Sequence, residues 1–299
     1  MTSHHSRRQY DPDTLHSLIS TAVGKIEEYQ PSVFTVTGKL VSLPPKGQAL
    51  VIGDLHGDLT SLKTILKEAN FESGRPPNGP YYAIFLGDYI DRGYQQIEVM
   101  ATVLNLLNNL PDRVILLRGN HEGPSDIEVS PHDFPLWLER LYGEEGSKLY
   151  LSFRELFDHL YTAVIVQGKA LLLHGGIPTE AEGLLDIAYA HQKHPEQSHL
   201  TEILWNDPSD FPGVTSSSRG IGNMFGIDIT SSFLDKIGVD MLIRGHQPCD
   251  QGYSYHDGRI LTLFSCKLPH YRNSHAAYLL TPLNEPFDRR TLGTHIHKI

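Results

Sequence analysis

The sequence predicts one α/β domain with mixed parallel and antiparallel strands and helices outside. Two patterns carry this. The centre of the chain alternates short apolar runs with amphipathic stretches, which predicts parallel strands joined by right-handed crossovers. The second half pairs apolar runs across tight turns, which predicts antiparallel strands.

Residues 1–12 read as a flexible polar arm. Residues 13–29 follow as an amphipathic helix, with Leu15, Leu18, Ile19, Ala22 and Ile26 at helical spacing. A short apolar strand is predicted over 49–53. A helix over 58–69 then carries Leu59, Leu62, Ile65 and Leu66 on one face. A second buried strand covers 82–87, a helix 94–110, and a third strand 114–118. The stretch 133–160 is helical and rich in Leu, Phe and Tyr. Strands at 162–167 and 170–174 meet at Gly168-Lys169, and strands at 251–255 and 259–265 flank Asp257-Gly258. Between them, 207–224 is rich in Ser, Gly and Pro and reads as a long irregular loop of functional type. Residues 284–299 read as a short C-terminal tail, leaving 13–283 as the body of the domain.

The 299 residues suffice for one large α/β domain or two ordinary ones. No apolar run reaches membrane-spanning length, and the polar N-terminus lacks the apolar core of a secretory signal. Neither a membrane nor an export route is therefore expected. Only two Cys occur, so no disulfide framework is expected, and a reducing, cytoplasmic setting is the default. The formal net charge of −10 argues against a nucleic-acid partner, which meets a basic surface.

Five short motifs stand in order: Gly53-Asp54-Leu55-His56-Gly57, Gly87-Asp88-Tyr89-Ile90-Asp91-Arg92-Gly93, Gly119-Asn120-His121-Glu122, His174-Gly175-Gly176 and Arg244-Gly245-His246-Gln247. The first three begin where predicted parallel strands end, and ligands of open α/β sheets bind outside those ends. Asp54 and His56 are two apart on an extended segment, so both reach one side. Asp88 has two carboxylate oxygens and can bridge two cations. Asn120 offers a carbonyl oxygen, and His174 and His246 offer imidazoles. This oxygen and nitrogen set, without thiolate, suits Mn²⁺, Fe²⁺/Fe³⁺ or Zn²⁺ and disfavours a structural zinc cage. Taken singly, each residue could equally cap a strand end; six at matching strand ends read as a metal site.

The ordered string resembles the PPP family of metal-dependent phosphoprotein phosphatases, within the calcineurin-like metallophosphoesterases, from about Ala49 to about Tyr278. The resemblance implies two mixed β-sheets packed as a sandwich with flanking helices. It implies a first metal on Asp54, His56 and Asp88, and a second on Asp88, Asn120, His174 and His246. It implies hydrolysis of protein phosphoserine and phosphothreonine by a hydroxide activated between two metals, with no phosphoenzyme. In that pattern His121 is the general acid and Asp91 orients it; the alternative for Asp91 is a surface ion pair with Arg92. Arg92 and Arg219 are candidate phosphate clamps, since guanidinium meets phosphate oxygens in a fork, and Asn120 is a further candidate phosphate contact. Arg219 lies in an Arg-Gly…Phe-Gly segment like the family's. Asp207, in Trp205-Asn206-Asp207-Pro208, and Tyr271 are expected at the site's rim. Glu122 is expected to orient the loop of His121, while Arg118 and Arg244 remain open between phosphate binding and structure. The implied partners are phosphoprotein substrates, with a regulatory subunit unreadable from sequence.

Two features stand apart. Cys266 to Arg272 spells Cys-x₅-Arg, the spacing of cysteine-dependent phosphatases, but it has no Gly and contains Pro269, which lacks an N–H. A thiol nucleophile is not expected. The same segment departs from the Ser-Ala-Pro-Asn-Tyr of eukaryotic members, which leaves the register of Tyr271 insecure. His191, His194, His199, His295 and His297 fit no ligand spacing and are expected on the surface. The rival readings are a phosphoesterase acting on dinucleoside polyphosphates and a non-catalytic scaffold. Asp91 and Glu122 argue against the first, and the intact ligand set against the second.

Overall fold

The computed structural model describes residues 10–74 and 79–299. Residues 1–9 of the expected arm lie outside that range. Helix α1 (Pro12–Glu27) opens the fold, and Asp11 caps it by accepting the Thr14 N–H at 2.9 Å. A hairpin of β1 (Thr35–Thr37) and β2 (Leu40–Leu43) precedes the expected alternating run. That run is β3 (Gln48–Ile52), α2 (Leu59–Glu68), β4 (Tyr81–Phe85), α3 (Gln96–Asn109) and β5 (Val114–Leu116). The helical stretch after it is two helices, α4 (Phe134–Tyr142) and α5 (Glu144–His159). They break at Gly143, whose φ of +63° a side chain would resist. Strands β6 (Ala163–Val166) and β7 (Ala170–Leu173) form the expected antiparallel pair. Short helices α6 (Leu184–Ala188), α7 (Ala190–Lys193) and α8 (His199–Trp205) lead to β8 (Asp207–Pro208), β9 (Val214–Ser216) and β10 (Asn223–Phe225). Helix α9 (Ile227–Ile237), β11 (Met241–Arg244), β12 (Tyr253–His256), β13 (Ile260–Leu263), β14 (Ala277–Pro282), α10 (Arg289–Gly293) and β15 (Ile296–Lys298) complete the chain.

Two mixed sheets pack face to face, as expected. One has seven strands in the order β1-β2-β6-β7-β11-β13-β12, the other five in the order β15-β14-β3-β4-β5. Strands β3, β4 and β5 are parallel neighbours. Period-two alternation explains why their sequences are apolar throughout. Ala49 and Val51 of β3 join the core between the sheets, with Val164, Leu172 and Ile243 from the other sheet. Leu50 and Ile52 face the opposite way, into a core with helices α1 to α5. A third core covers the outer face of the seven-stranded sheet with α8 and α9.

Two expectations are corrected and one is refined. Most pairs of the second half are antiparallel, as expected, but β11 pairs in parallel with both β7 and β13. A parallel pair needs a long crossover and leaves no local turn to read. The irregular loop at 207–224 carries a small sheet, β8-β10-β9. The expected tail belongs to the fold. Phe287 and Leu292 are buried in the core between the sheets, and β15 extends the five-stranded sheet beside β14. Its residues are few and polar, so neither period nor length marked them.

The two sheets converge at one edge. A parallel bridge joins Asp54, just past β3, to Phe264, just past β13, and another joins Leu117 to Tyr161. The Ser265 hydroxyl holds this seam, accepting the Gly53 N–H at 2.8 Å and donating to the Ala277 carbonyl at 2.7 Å. The first three motifs emerge here.

Candidate metal and phosphate site

The turns at this edge are held in unusual backbone. His56, Asp88, Asp91, Arg92 and His246 all have φ between +45° and +71°, a costly region for side-chain-bearing residues. Such strain persists where surroundings over-determine it. Glu122 is one such restraint, since its carboxylate accepts the N–H of Asp88 and Tyr89, both at 2.9 Å, and of Gly119 at 3.1 Å. Burial, followed by the nearby Asp88 charge, pushes Glu122 up to about 8. From the loop after β5 it thus restrains the turn after β4 as well as its own loop, a wider reach than the His121 loop expected for it. Two glycines are sterically required. A Cβ on Gly119 would lie 2.2 Å from Asp88 Oδ1, and one on Gly245 would lie 2.5 Å from Asp54 Oδ1.

Asp54, His56, Asp88, Asn120, His174 and His246 come together and are all buried. His56 Nδ1 lies 2.8 Å from the Ile90 carbonyl and His174 Nδ1 lies 2.9 Å from the Leu86 carbonyl. Each Nδ1–H therefore donates to backbone, which turns the Nε2 lone pair inward. His56 Nε2 lies 3.5 Å from Asp88 Oδ2 and 3.9 Å from Asp54 Oδ2. His174 Nε2 lies 3.4 Å from Asp88 Oδ1. His174 Nε2 and His246 Nδ1 both stand 3.0 Å from Asn120 Oδ1. Three lone pairs converging there repel unless a cation sits between them or the amide turns its NH₂ inward, where it would also reach Asp88. Burial keeps the imidazoles neutral, holding His174 down to about 4 and His56 and His246 well below their ordinary value. Burial, then the Asp88 charge, pushes Asp54 up to about 6, and burial raises Asp88 also. Crowded buried carboxylates facing neutral imidazole lone pairs form a donor set that fits cations. His56, Asp88 and His121 bring ligand atoms within 4.8 Å of one another, as do Asp88, His174 and His246. Asp88 is common to both groups.

Beside them lies the expected acid. His121 Nδ1 is 2.6 Å from Asp91 Oδ2, and His121 Nε2 is buried without a partner. Burial alone would raise Asp91, but hydrogen bonds from His121 and His132 outweigh it and hold the carboxyl below the usual range. The surface ion pair with Arg92 is excluded: Asp91 is fully buried, and the Arg92 guanidinium donates to Tyr271 Oη at 2.7 Å. His132, 2.8 Å from the same Asp91 oxygen, escaped the sequence reading because no motif contains it. A histidine two residues before a helix start was the only local sign.

The arginines divide by their partners. Arg92 and Arg219 sit at the edge of the cluster, with Arg219 side chain one third exposed. Arg219 Nε donates to Asp207 Oδ2 at 2.8 Å, and Arg244 Nη2 donates to Asp207 Oδ1 at 2.9 Å. Asp207 is thus buried beneath the site, not at its rim, and aims Arg219. Arg244 is wholly buried and donates also to Gly175 and Asn206 carbonyls. Arg118 ties the Glu122 carbonyl to Asp158. Both are structural. Tyr271 does reach the site, its ring stacked 5.8 Å from that of His56. His199 is buried at the start of α8, against the surface expectation. Arg219→Ala is expected to raise KM for phosphate esters with bound metal unchanged, because Asp207 keeps Arg244 in place; parallel titration of metal and KM checks it.

Cys266 is fully buried, and burial raises its thiol well above the ordinary value. No thiolate is available to attack phosphorus. Cys266→Ala should therefore keep kcat within about twofold, as expected for a packing residue away from the chemistry; steady-state turnover of the variant checks this.

A sandwich of mixed sheets with paired Asp, Asn and His donors at the strand ends is the build of a metallophosphoesterase. The chain belongs to the calcineurin-like phosphoesterase family, whose model matches residues 48–250. It is 34% identical over 271 residues to a probable serine/threonine-protein phosphatase of Encephalitozoon cuniculi, covering 89% of this chain and 55% of the relative. It is 33% identical over 242 residues to serine/threonine-protein phosphatase 5 of Arabidopsis thaliana, covering 77% and 41%. The chain thus spans about half the length of these curated relatives. Its fold matches a solved protein serine/threonine phosphatase from Saccharomyces cerevisiae with a TM-score of 0.75 at 23% identity, over 91% of this chain and 83% of that one. Among the described residues no helix is long and apolar enough to cross a membrane.

Proposed function

We propose that the chain hydrolyses phosphoserine and phosphothreonine in proteins. The observation that carries the reading is the His121–Asp91 pair set against the two ligand clusters that share Asp88. Asp54, His56 and Asp88 would hold one ion, and Asp88, Asn120, His174 and His246 the other, with Mn, Fe or Zn all suited to the donors. When bound, such a pair supplies activation of water and neutralisation of phosphate charge.

The chain's own residues supply the rest. Arg92 and Arg219 grip the phosphate oxygens, each held from behind, by Tyr271 and Asp207. Asn120, beside both clusters, offers its amide to the same oxygens. A serine alkoxide is a poor leaving group and needs a proton. His121 Nε2 donates it, while Asp91 keeps Nδ1–H in place and stabilises the ring's charge. No covalent phosphoenzyme is required, in keeping with the buried Cys266. Phosphoproteins are the proposed partners, in a reducing cytoplasmic setting that suits the two free cysteines.

The test is a substrate panel on Mn²⁺-loaded protein: phosphoserine, phosphothreonine and phosphotyrosine peptides and diadenosine tetraphosphate. Preference for the first two is expected. Turnover of the dinucleotide alone would favour the polyphosphate reading, and no turnover of any would favour a scaffold.

A further inference from the structure

Asp91 does not serve His121 alone. Its Oδ2 accepts His121 Nδ1 at 2.6 Å and His132 Nδ1 at 2.8 Å. Its Oδ1 accepts the N–H groups of Asp133 and Phe134, both at 2.9 Å, at the start of α4. Since both rings aim Nδ1 at a carboxylate kept ionised, both carry hydrogen there. His132 Nε2 then faces Tyr150 Oη at 2.7 Å, on α5. One continuous chain runs Tyr150, His132, Asp91, His121. His121, His132, Tyr150 and Arg154 line a single cavity of about 310 Å³ beside the site, so the outer half of the chain stands at its wall.

The geometry points to His132, held by Tyr150, as a positioning residue for the His121 acid, resting on the phosphatase reading above. A carboxylate oxygen taking one donor can swing about its Cβ–Cγ bond. With donors on both oxygens from two backbone amides and a second imidazole, Asp91 keeps one orientation, and the His121 ring with it. The proton on His121 Nε2 is thereby aimed at one point in the site. A substrate whose leaving group needs no proton does not use that aim. The purely structural alternative is that His132 only anchors the start of α4. It would then matter equally for every substrate.

The experiment uses the full chain loaded with Mn²⁺ and three substrates: a phosphoserine peptide, phenyl phosphate and nitrophenyl phosphate. His132→Ala is expected to lower kcat about tenfold or more on the first two, the usual scale for loss of an orienting partner. KM, bound metal and nitrophenyl phosphate turnover should stay near wild type. His132→Asn, which can return an N–H to Asp91, should recover most of the loss. Tyr150→Phe, which leaves both rings in place, should show the same pattern in milder form and remains readable if His132→Ala fails to fold. Equal losses on all three substrates, or no loss on any, would overturn the positioning role. Should wild-type protein hydrolyse phenyl phosphate but no phosphopeptide, with the variant pattern intact on the phenyl and nitrophenyl esters, the protein-phosphatase reading fails and the positioning role stands.

Discussion

Asp88→Asn is expected to lose both metals together, and nearly all turnover with them. Asp88 is the one residue common to the two ligand groups. Its Oδ2 faces His56 Nε2 at 3.5 Å and its Oδ1 faces His174 Nε2 at 3.4 Å, so the two oxygens turn toward different imidazoles and would serve the two proposed ions separately. An amide offers one neutral oxygen and an NH₂ that repels a cation. The fold should survive, because Glu122 holds this turn through backbone N–H groups and not through the Asp88 side chain. The loss should exceed the roughly 10–100-fold typical of outer-shell changes to metal sites. Chelation of wild-type protein should mimic it, with Mn²⁺ restoring activity to wild type only. Metal analysis beside turnover checks this: two ions and normal rates in the variant would show that Asp88 is no bridge.

His121→Asn should cut kcat on a phosphoserine peptide by roughly 10²–10⁴, the span of general acid catalysis. A general acid helps in proportion to how badly the leaving group needs a proton. Nitrophenolate hardly needs one, so the loss on nitrophenyl phosphate should be markedly smaller. Metal content is the second readout. His121 brings a ring nitrogen into the same group of ligand atoms as His56 and Asp88, which makes it a rival candidate ligand. If His121 is the acid, bound metal stays near normal; if it is a ligand, metal falls and both substrates suffer alike. Asp91→Asn should repeat the substrate dependence more mildly, since it acts through His121.

The site was legible to different depths. Asp54, His56, Asp88, Asn120, His174 and His246 were readable because each sits in a glycine-flanked motif, and glycine is where backbone must approach a ligand closely, as Gly119 and Gly245 do here. Arg92, Arg219 and Tyr271 were expected from motifs and lie beside the cluster, yet their anchors were not assignable. The role of Asp207 was misplaced to the rim, because its partners Arg219 and Arg244 lie 12 and 37 residues away. His132 was missed outright, 41 residues from Asp91 and in no repeating pattern. In the fold, β3, β4 and β5 were readable from local alternation, whereas β15 and the parallel pairing of β11 were not.

By itself, then, the sequence determined the kinds of donor and their delivery to strand ends. Strand and helix periods and glycine turns are local properties, and they place Asp54, Asp88 and Asn120 at the ends of three neighbouring strands without reference to the rest of the chain. Only the tertiary structure decided which arginines face the site and which are buried braces, that Tyr271 stacks on His56, and that Asp91 is shared by two imidazoles. Each of these turns on hydrogen bonds between distant segments, such as that from Gly53 to Ser265 across 212 residues. The fates of such polar groups are set by burial, because a buried donor or acceptor must find a partner wherever the folded chain supplies one.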